Sequence, residues 1–162
     1  MTLSLTPKPI TAAAFAAYGD LLTLKAIPDL LINEGMCGRH HDLAKLDFAG
    51  GSGGISLFDA NLRSFPHAVT LVERHPLGSQ AFIPMSLTSF LVVVADDEDG
   101  TPNNLQAFLT APGQAINLHR GVWHGVLAPL ESPGLFAVVD RIGSEKNLEE
   151  FWFDEPYTVI EP

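Results

Sequence analysis

From Gly54 onward the chain alternates short apolar segments with turn residues. Runs rich in Val, Ile, Leu and Phe fall at 55–60, 68–75, 80–83, 89–95, 105–110, 115–118, 124–128 and 135–141, with Gly, Pro, Asn and Asp between them. This spacing predicts an antiparallel sandwich or barrel. Ahead of it, residues 11–18 form an alanine-rich stretch with Thr11 as N-cap and Gly19 placed to end a helix, expected to pack outside a sheet. Residues 96–104 read as a solvated turn without the ligand spacing of an EF-hand loop.

Side chains alternate across a strand, so Val69, Leu71, Glu73 and His75 share one face, as do Gln80, Phe82 and Pro84. Two polar groups therefore continue an apolar face. Turned inward, an unpaired carboxylate is costly, and an ion or a hydrogen-bond network has to compensate it.

Composition narrows the class. A chain of 162 residues with 46% hydrophobic side chains supports one core, so a single domain over 1–162 is expected, with an N-terminal arm (about 1–50) packing on the barrel. Nineteen acidic against nine basic residues give a net charge of −10, which opposes binding to nucleic acid or anionic membranes. An anionic substrate then has to be captured by particular arginines. Cys37 is the only cysteine, which excludes an internal disulfide framework and fits a reducing, cytoplasmic setting. No signal peptide is visible at the start, and the apolar run 90–95 is far short of the ~20 residues a membrane helix needs.

The segment 71–84 carries the densest chemistry. One strand presents Glu73 and His75, a Pro-Leu-Gly turn reverses the chain, and the next strand presents Gln80. A later turn ends on His124, a fourth donor from across the barrel. A mixed Glu, Gln and two-His set suits a divalent transition metal with open positions; nickel, manganese, iron and zinc all remain open on chemistry alone. The bland readings are hydrogen-bonded core histidines, a Glu73 paired with an arginine, and a Gln80 that bonds substrate or a neighbour.

The spacing Glu73-x-His75-x4-Gln80, followed by Gly121-Val-Trp-His124, resembles the two cupin motifs. The run from Glu73 to Met85 is similar to the signature of the ureidoglycolate lyase family. Further matches are Phe15 with Tyr18-Gly-Asp20, Ile32-Asn33 with Gly35, Arg39 with His41-Asp-Leu-Ala44, residues 90–95, His119 to His124, and Asp140-Arg141 with Gly143-Ser144. Cupins commonly offer two histidines and a glutamate at the first motif; here Glu73, His75 and Gln80 stand in their place. The resemblance implies an all-β, cupin-type antiparallel β-barrel with one or two short flanking helices. It implies a lyase that splits (S)-ureidoglycolate into glyoxylate and urea in allantoin and purine nitrogen catabolism. It also implies a divalent ion, with nickel a candidate, held by Glu73, His75, Gln80 and His124, and a homodimer, for which the edge at 50–58 is one candidate surface.

Other polar residues complete the candidate site. Arg39 and Arg141 suit a substrate carboxylate, since guanidinium forms two parallel charge-assisted hydrogen bonds with it; either can equally be a surface or structural arginine. His41, in the polar run His40-His41-Asp42, is a pocket residue or part of a solvated loop. Asn117 and His119 lie on the face opposite Ile116 and Leu118; His119 is the best acid or base outside the metal set, and Asn117 a substrate contact. Asp140 is a catalytic candidate or a buried partner for Arg141. His67 beside Pro66 reads as a turn histidine without a role, Trp123 as packing, and Cys37 as no nucleophile. Two other functions fit such a barrel: another metal-dependent cupin enzyme acting on a small hydroxy or keto acid, and a non-catalytic cupin that binds a small acid. No basic helix pair of a DNA-binding module accompanies it.

Overall fold

The computed structural model describes residues 3–162. The chain runs through β1 (Ser4–Leu5), β2 (Lys8–Pro9), α1 (Ala12–Phe15), β3 (Gly19–Leu22), β4 (Leu30–Ile32), β5 (Cys37–Arg39), β6 (Ser52–Asp59), β7 (His67–Arg74) and β8 (Gln80–Pro84). It continues through β9 (Phe90–Glu98), β10 (Thr101–Leu109), β11 (Ala115–Leu118), β12 (Trp123–His124), β13 (Ala128–Pro129), β14 (Leu135–Ile142) and β15 (Glu149–Val159). One sheet has the order β1-β15-β7-β12-β9-β10-β2, with β13 on β9; the other has the order β3-β11-β8-β14-β6; β4 and β5 pair separately. The fold is the expected all-β, cupin-like one.

The main core fills the space between the two sheets. Phe82, Phe90, Val92, Val94, Phe108, Ile116, Leu118, Phe136 and Val138 meet there, and Phe15 of α1 joins them. Phe90 and Phe136 cross edge to face at 5.1 Å between centroids, a geometry worth ~0.5–1.5 kcal/mol beyond buried area. A second cluster, with Val72, Leu91, Val93, Ala95 and Trp123, packs against Phe151, Phe153 and Tyr157. Alternate residues of β9 thus serve two layers.

Register decides which polar groups enter the core. Paired residues on neighbouring strands project to the same face. His124 is opposite both Glu73 and Val94, and Val94 is a core residue, so Glu73 and His124 point inward. On the facing sheet Gln80 is opposite core residue Leu118 and also Asp140, which brings those two polar side chains inward together.

Several local expectations are corrected. α1 is shorter than 11–18, although Thr11 caps it by accepting from the Ala14 N–H at 3.1 Å. Gly19 is not a helix terminator but the first residue of β3: a Cβ there would lie 2.1 Å from the Asn117 carbonyl oxygen, so only glycine lets β3 pair with β11. The predicted turn at 96–104 shrinks to Asp99 and Gly100, both at positive φ, as tight hairpins require. The segment 124–128 is not one strand, since β12 and β13 are separate short pairings with β9. β15, absent from the reading of the sequence, is the long partner of β7.

Residues of the N-terminal arm are tied across the second sheet. The Lys45 N–H donates to Asp20 at 2.8 Å, and Asn117 Nδ2 to the Lys45 carbonyl at 3.1 Å. The Ser79 N–H donates to the Asp47 carbonyl and Arg141 Nε to the Phe48 carbonyl, each at 2.8 Å. Among the described residues, no helix is long and apolar enough to cross a membrane.

Candidate active site

Glu73, His75 and His124 come together inside the fold, their ligand atoms all within 4.8 Å of one another. The imidazoles of His75 and His124 sit 5.3 Å apart between centroids. Each ring is fixed by a backbone carbonyl: His75 Nδ1 lies 2.7 Å from the Asn147 oxygen, His124 Nδ1 3.0 Å from the Gly125 oxygen. A carbonyl only accepts, so both Nδ1 atoms carry the proton and both Nε2 atoms present a lone pair. Those two Nε2 atoms are buried and have no hydrogen-bond partner. Buried acceptors left bare are costly, and carbonyl-oriented histidines of this tautomer are what a metal ion takes.

Glu73 adds the charge. Burial pushes its carboxyl above the ordinary carboxylate value, His75 pulls it down, and Glu150 pushes it up again. A cation beside it offsets the desolvation. Gln80, buried on the facing sheet, donates from Nε2 to Asp140 Oδ2 at 3.1 Å, while its Oε1 has no partner. With the amide nitrogen donating to Asp140, the opposite end of the Gln80 amide is its oxygen, which is left free. Gln80 is beside Phe82 on the inner face, and the Phe82 ring is 6.4 Å from that of His124. Glu73 with the two imidazoles makes a donor set that fits a divalent ion.

The remaining candidates divide. His119 and Asn117 gather around Asp20, a residue to which the sequence reading gave no role. His119 Nε2 is 3.1 Å from Asp20 Oδ1, close in distance though not aligned as a straight hydrogen bond, and Asn117 Nδ2 donates to Asp20 Oδ2 at 3.0 Å. Burial pushes the Asp20 carboxyl up, but the Lys45 N–H, Asn117 and His119 outweigh it and hold it below the ordinary value. His119 lines an open hollow of about 560 Å³ with Lys45, Leu46, Asp47 and Arg120. The Gly121 N–H donates to the His75 carbonyl at 2.9 Å, which ties the chain just after Arg120 to the backbone of His75. Arg120, also missed from sequence, is 3.7 Å from Asp47.

Arg141 is turned to the face opposite Asp140, because the two are adjacent in β14, so Asp140 is not its partner. Its Nε is taken by Phe48 and its Nη2 by Glu145 at 2.9 Å, and Gly51, Gly78 and Gly143 leave space only for its side chain. Arg39 is exposed in β5 and is in no ion pair among the described residues. The His41 N–H donates to Asp29, and its side chain is exposed. Asn147 was also missed: besides fixing His75, its Oδ1 accepts from the Leu77 N–H at 2.7 Å. A contact spanning 72 positions leaves no local signal to find.

Burial and the neighbouring His75 hold the His124 ring down to about 4, with only the Gly125 carbonyl opposing them. In protein stripped of divalent ions, the unfolded chain takes a proton at His124 below about 6.5, whereas the folded chain refuses it until about 4. The stability given by the neutral ring is therefore complete above pH 6.5 and lost as pH falls toward 4. Melting temperatures of EDTA-treated protein over this window are expected to fall more steeply in the wild type than in His124→Gln. Parallel slopes would contradict the assignment.

Comparison with known proteins accords with this geometry. The family model described as ureidoglycolate lyase matches residues 2–160. A ureidoglycolate lyase of Rhodobacter capsulatus is 60% identical over 153 residues, covering 94% of this chain and 95% of that protein. Ureidoglycolate lyase 2 of Rhizobium meliloti is 46% identical over 154 residues, 94% of each chain, and a ureidoglycolate lyase of Chelativorans sp. is 43% identical over 157 residues, 96% of this chain and 95% of its own. A match this long, laid over buried donors that already converge, makes the chain a member of the ureidoglycolate lyase family.

Proposed function

We propose that the chain cleaves (S)-ureidoglycolate to glyoxylate and urea at a divalent-ion site made by Glu73, His75, Gln80 and His124. The observation that carries this reading is the pair of buried, partnerless Nε2 atoms beside Glu73. The substrate carbon bears a hydroxyl, a carboxylate and the ureido nitrogen. A divalent ion held by these residues, nickel being the first to try, would supply a positive centre that makes the hydroxyl more acidic. His119, held by Asp20, takes the hydroxyl proton; as the carbon–oxygen double bond forms, the carbon–nitrogen bond breaks and the same proton passes to the leaving nitrogen. No water is consumed. Arg120 and Lys45, which line the hollow with His119, hold the carboxylate, with Arg39 of the arm as a further cation.

Asp140 acts through Gln80 by keeping its amide oxygen free. Asp140→Asn allows the amide to turn, and the affinity for Ni2+ is expected to fall by about 10–100-fold, measured by titration calorimetry. An unchanged affinity would remove this role. The function itself is tested by supplying purified, metal-loaded protein with ureidoglycolate. Urea and glyoxylate are expected in equal amounts; no urea above the spontaneous rate overturns the reading.

Two properties accompany this function. A cytoplasmic setting fits the exposed, free Cys37. A homodimer fits β6, an edge strand whose Ile55 and Leu57 are 76% and 65% exposed. Ile55→Lys with Leu57→Lys is expected to shift the sedimenting species from dimer to monomer; a wild-type chain that is already monomeric contradicts it.

A further inference from the structure

A cavity of about 200 Å³, lined by none of Glu73, His75, Gln80 or His124, opens where the larger sheet splits. β15 accompanies β7 from His67 to Arg74, but β12 meets the other side of β7 only at Glu73. Past His124 the chain follows β9 instead: the Gly125 N–H donates to the Val93 carbonyl at 2.8 Å, and Ala128 pairs with Leu91. The stretch of β7 from His67 to Leu71 therefore faces the cavity, and alternate backbone groups along that edge have no strand partner.

The cavity lining is mixed: Val69, Leu71, Leu91, Val93, Val126 and Ala128 supply its apolar part, whereas Arg63, His67 and Thr70 supply charge, ring nitrogens and a hydroxyl. Arg74, Arg120 and Arg141 each have a carboxylate partner; Arg63 has none among the described residues, in a chain of net charge −10. Burial and the Arg63 charge hold the His67 imidazole below its ordinary value, and no acidic side chain lines the cavity to pair with Arg63. An anion removes that mismatch. At ~30 Å³ per water the space holds roughly six or seven non-hydrogen atoms.

We propose that this cavity is a second ligand site, for a short-chain monocarboxylate, separate from the metal cluster. The carboxylate takes the Arg63 fork and a ring N–H of His67, and the alkyl tail lies between Val69, Leu71, Leu91 and Val93. The proposal does not rest on the lyase reading, since it needs only this cavity and its two bases.

Butyrate is the probe, with acetate and n-butylamine as controls, titrated into metal-free protein and followed by amide chemical shifts. Saturable butyrate binding is expected in about the millimolar range, weaker for acetate and absent for butylamine. Arg63→Gln is expected to weaken it by about tenfold or more, and Arg63→Lys by less. His75→Ala is expected to leave it unchanged, and Arg63→Gln to leave kcat and KM for the lyase reaction at wild-type values. Non-saturable binding, equal binding by Arg63→Gln or butylamine, loss in His75→Ala, or a raised KM in Arg63→Gln would each overturn the proposal.

Discussion

Replacing His75 by alanine is expected to lower the rate of urea formation by about 10³-fold and to reduce bound metal from stoichiometric to trace. The magnitude follows from the several kcal/mol that a Lewis acid gives a developing alkoxide, at ~1.36 kcal/mol per tenfold. His75 is the informative position because it is only partly buried and its other ring nitrogen bonds a backbone carbonyl, so the fold should survive the loss. Added imidazole fills the space and restores part of both metal content and rate. If the alanine variant keeps full activity with no metal bound, the cluster is not the reaction centre.

His119→Gln separates proton transfer from metal binding. A positioned acid or base contributes about 10²–10⁴-fold, so kcat is expected to fall by that factor while Ni2+ content and affinity stay at wild-type values. Asp20 touches the ring and Asn117 but none of the metal set, so Asp20→Asn is expected to move kcat in the same direction by a smaller factor. Metal lost from His119→Gln would place this histidine in the ligand set instead. Unchanged kcat would return it to the solvated rim.

What the sequence disclosed and what it hid divide along one line. Glu73 and His75 were legible because two-residue alternation along β7 carries over to the residue just after it, and His124 because it follows a turn, although it closes the short β12 instead of opening a strand. The inner face of Gln80 followed from the same rule. Its amide orientation did not, since Asp140 is 60 positions away and only the β8–β14 register joins them. Asp20 and Asn147 were invisible for the same reason: their partners are 97 and 72 positions distant. Alternation also placed Asp140 and Arg141 on opposite faces, and pairing them overlooked it. Gly19 misled because glycine ends helices and also admits a close backbone neighbour, and only the Asn117 carbonyl tells which.

The central claim is that donors far apart along the chain close around one ion. Crystals loaded with Ni2+, measured on both sides of the nickel absorption edge, report this directly. One anomalous peak is expected, at about 2.1 Å from both Nε2 atoms of His75 and His124 and in contact with Glu73. Strong nickel density elsewhere, with none between these three side chains, would contradict the account.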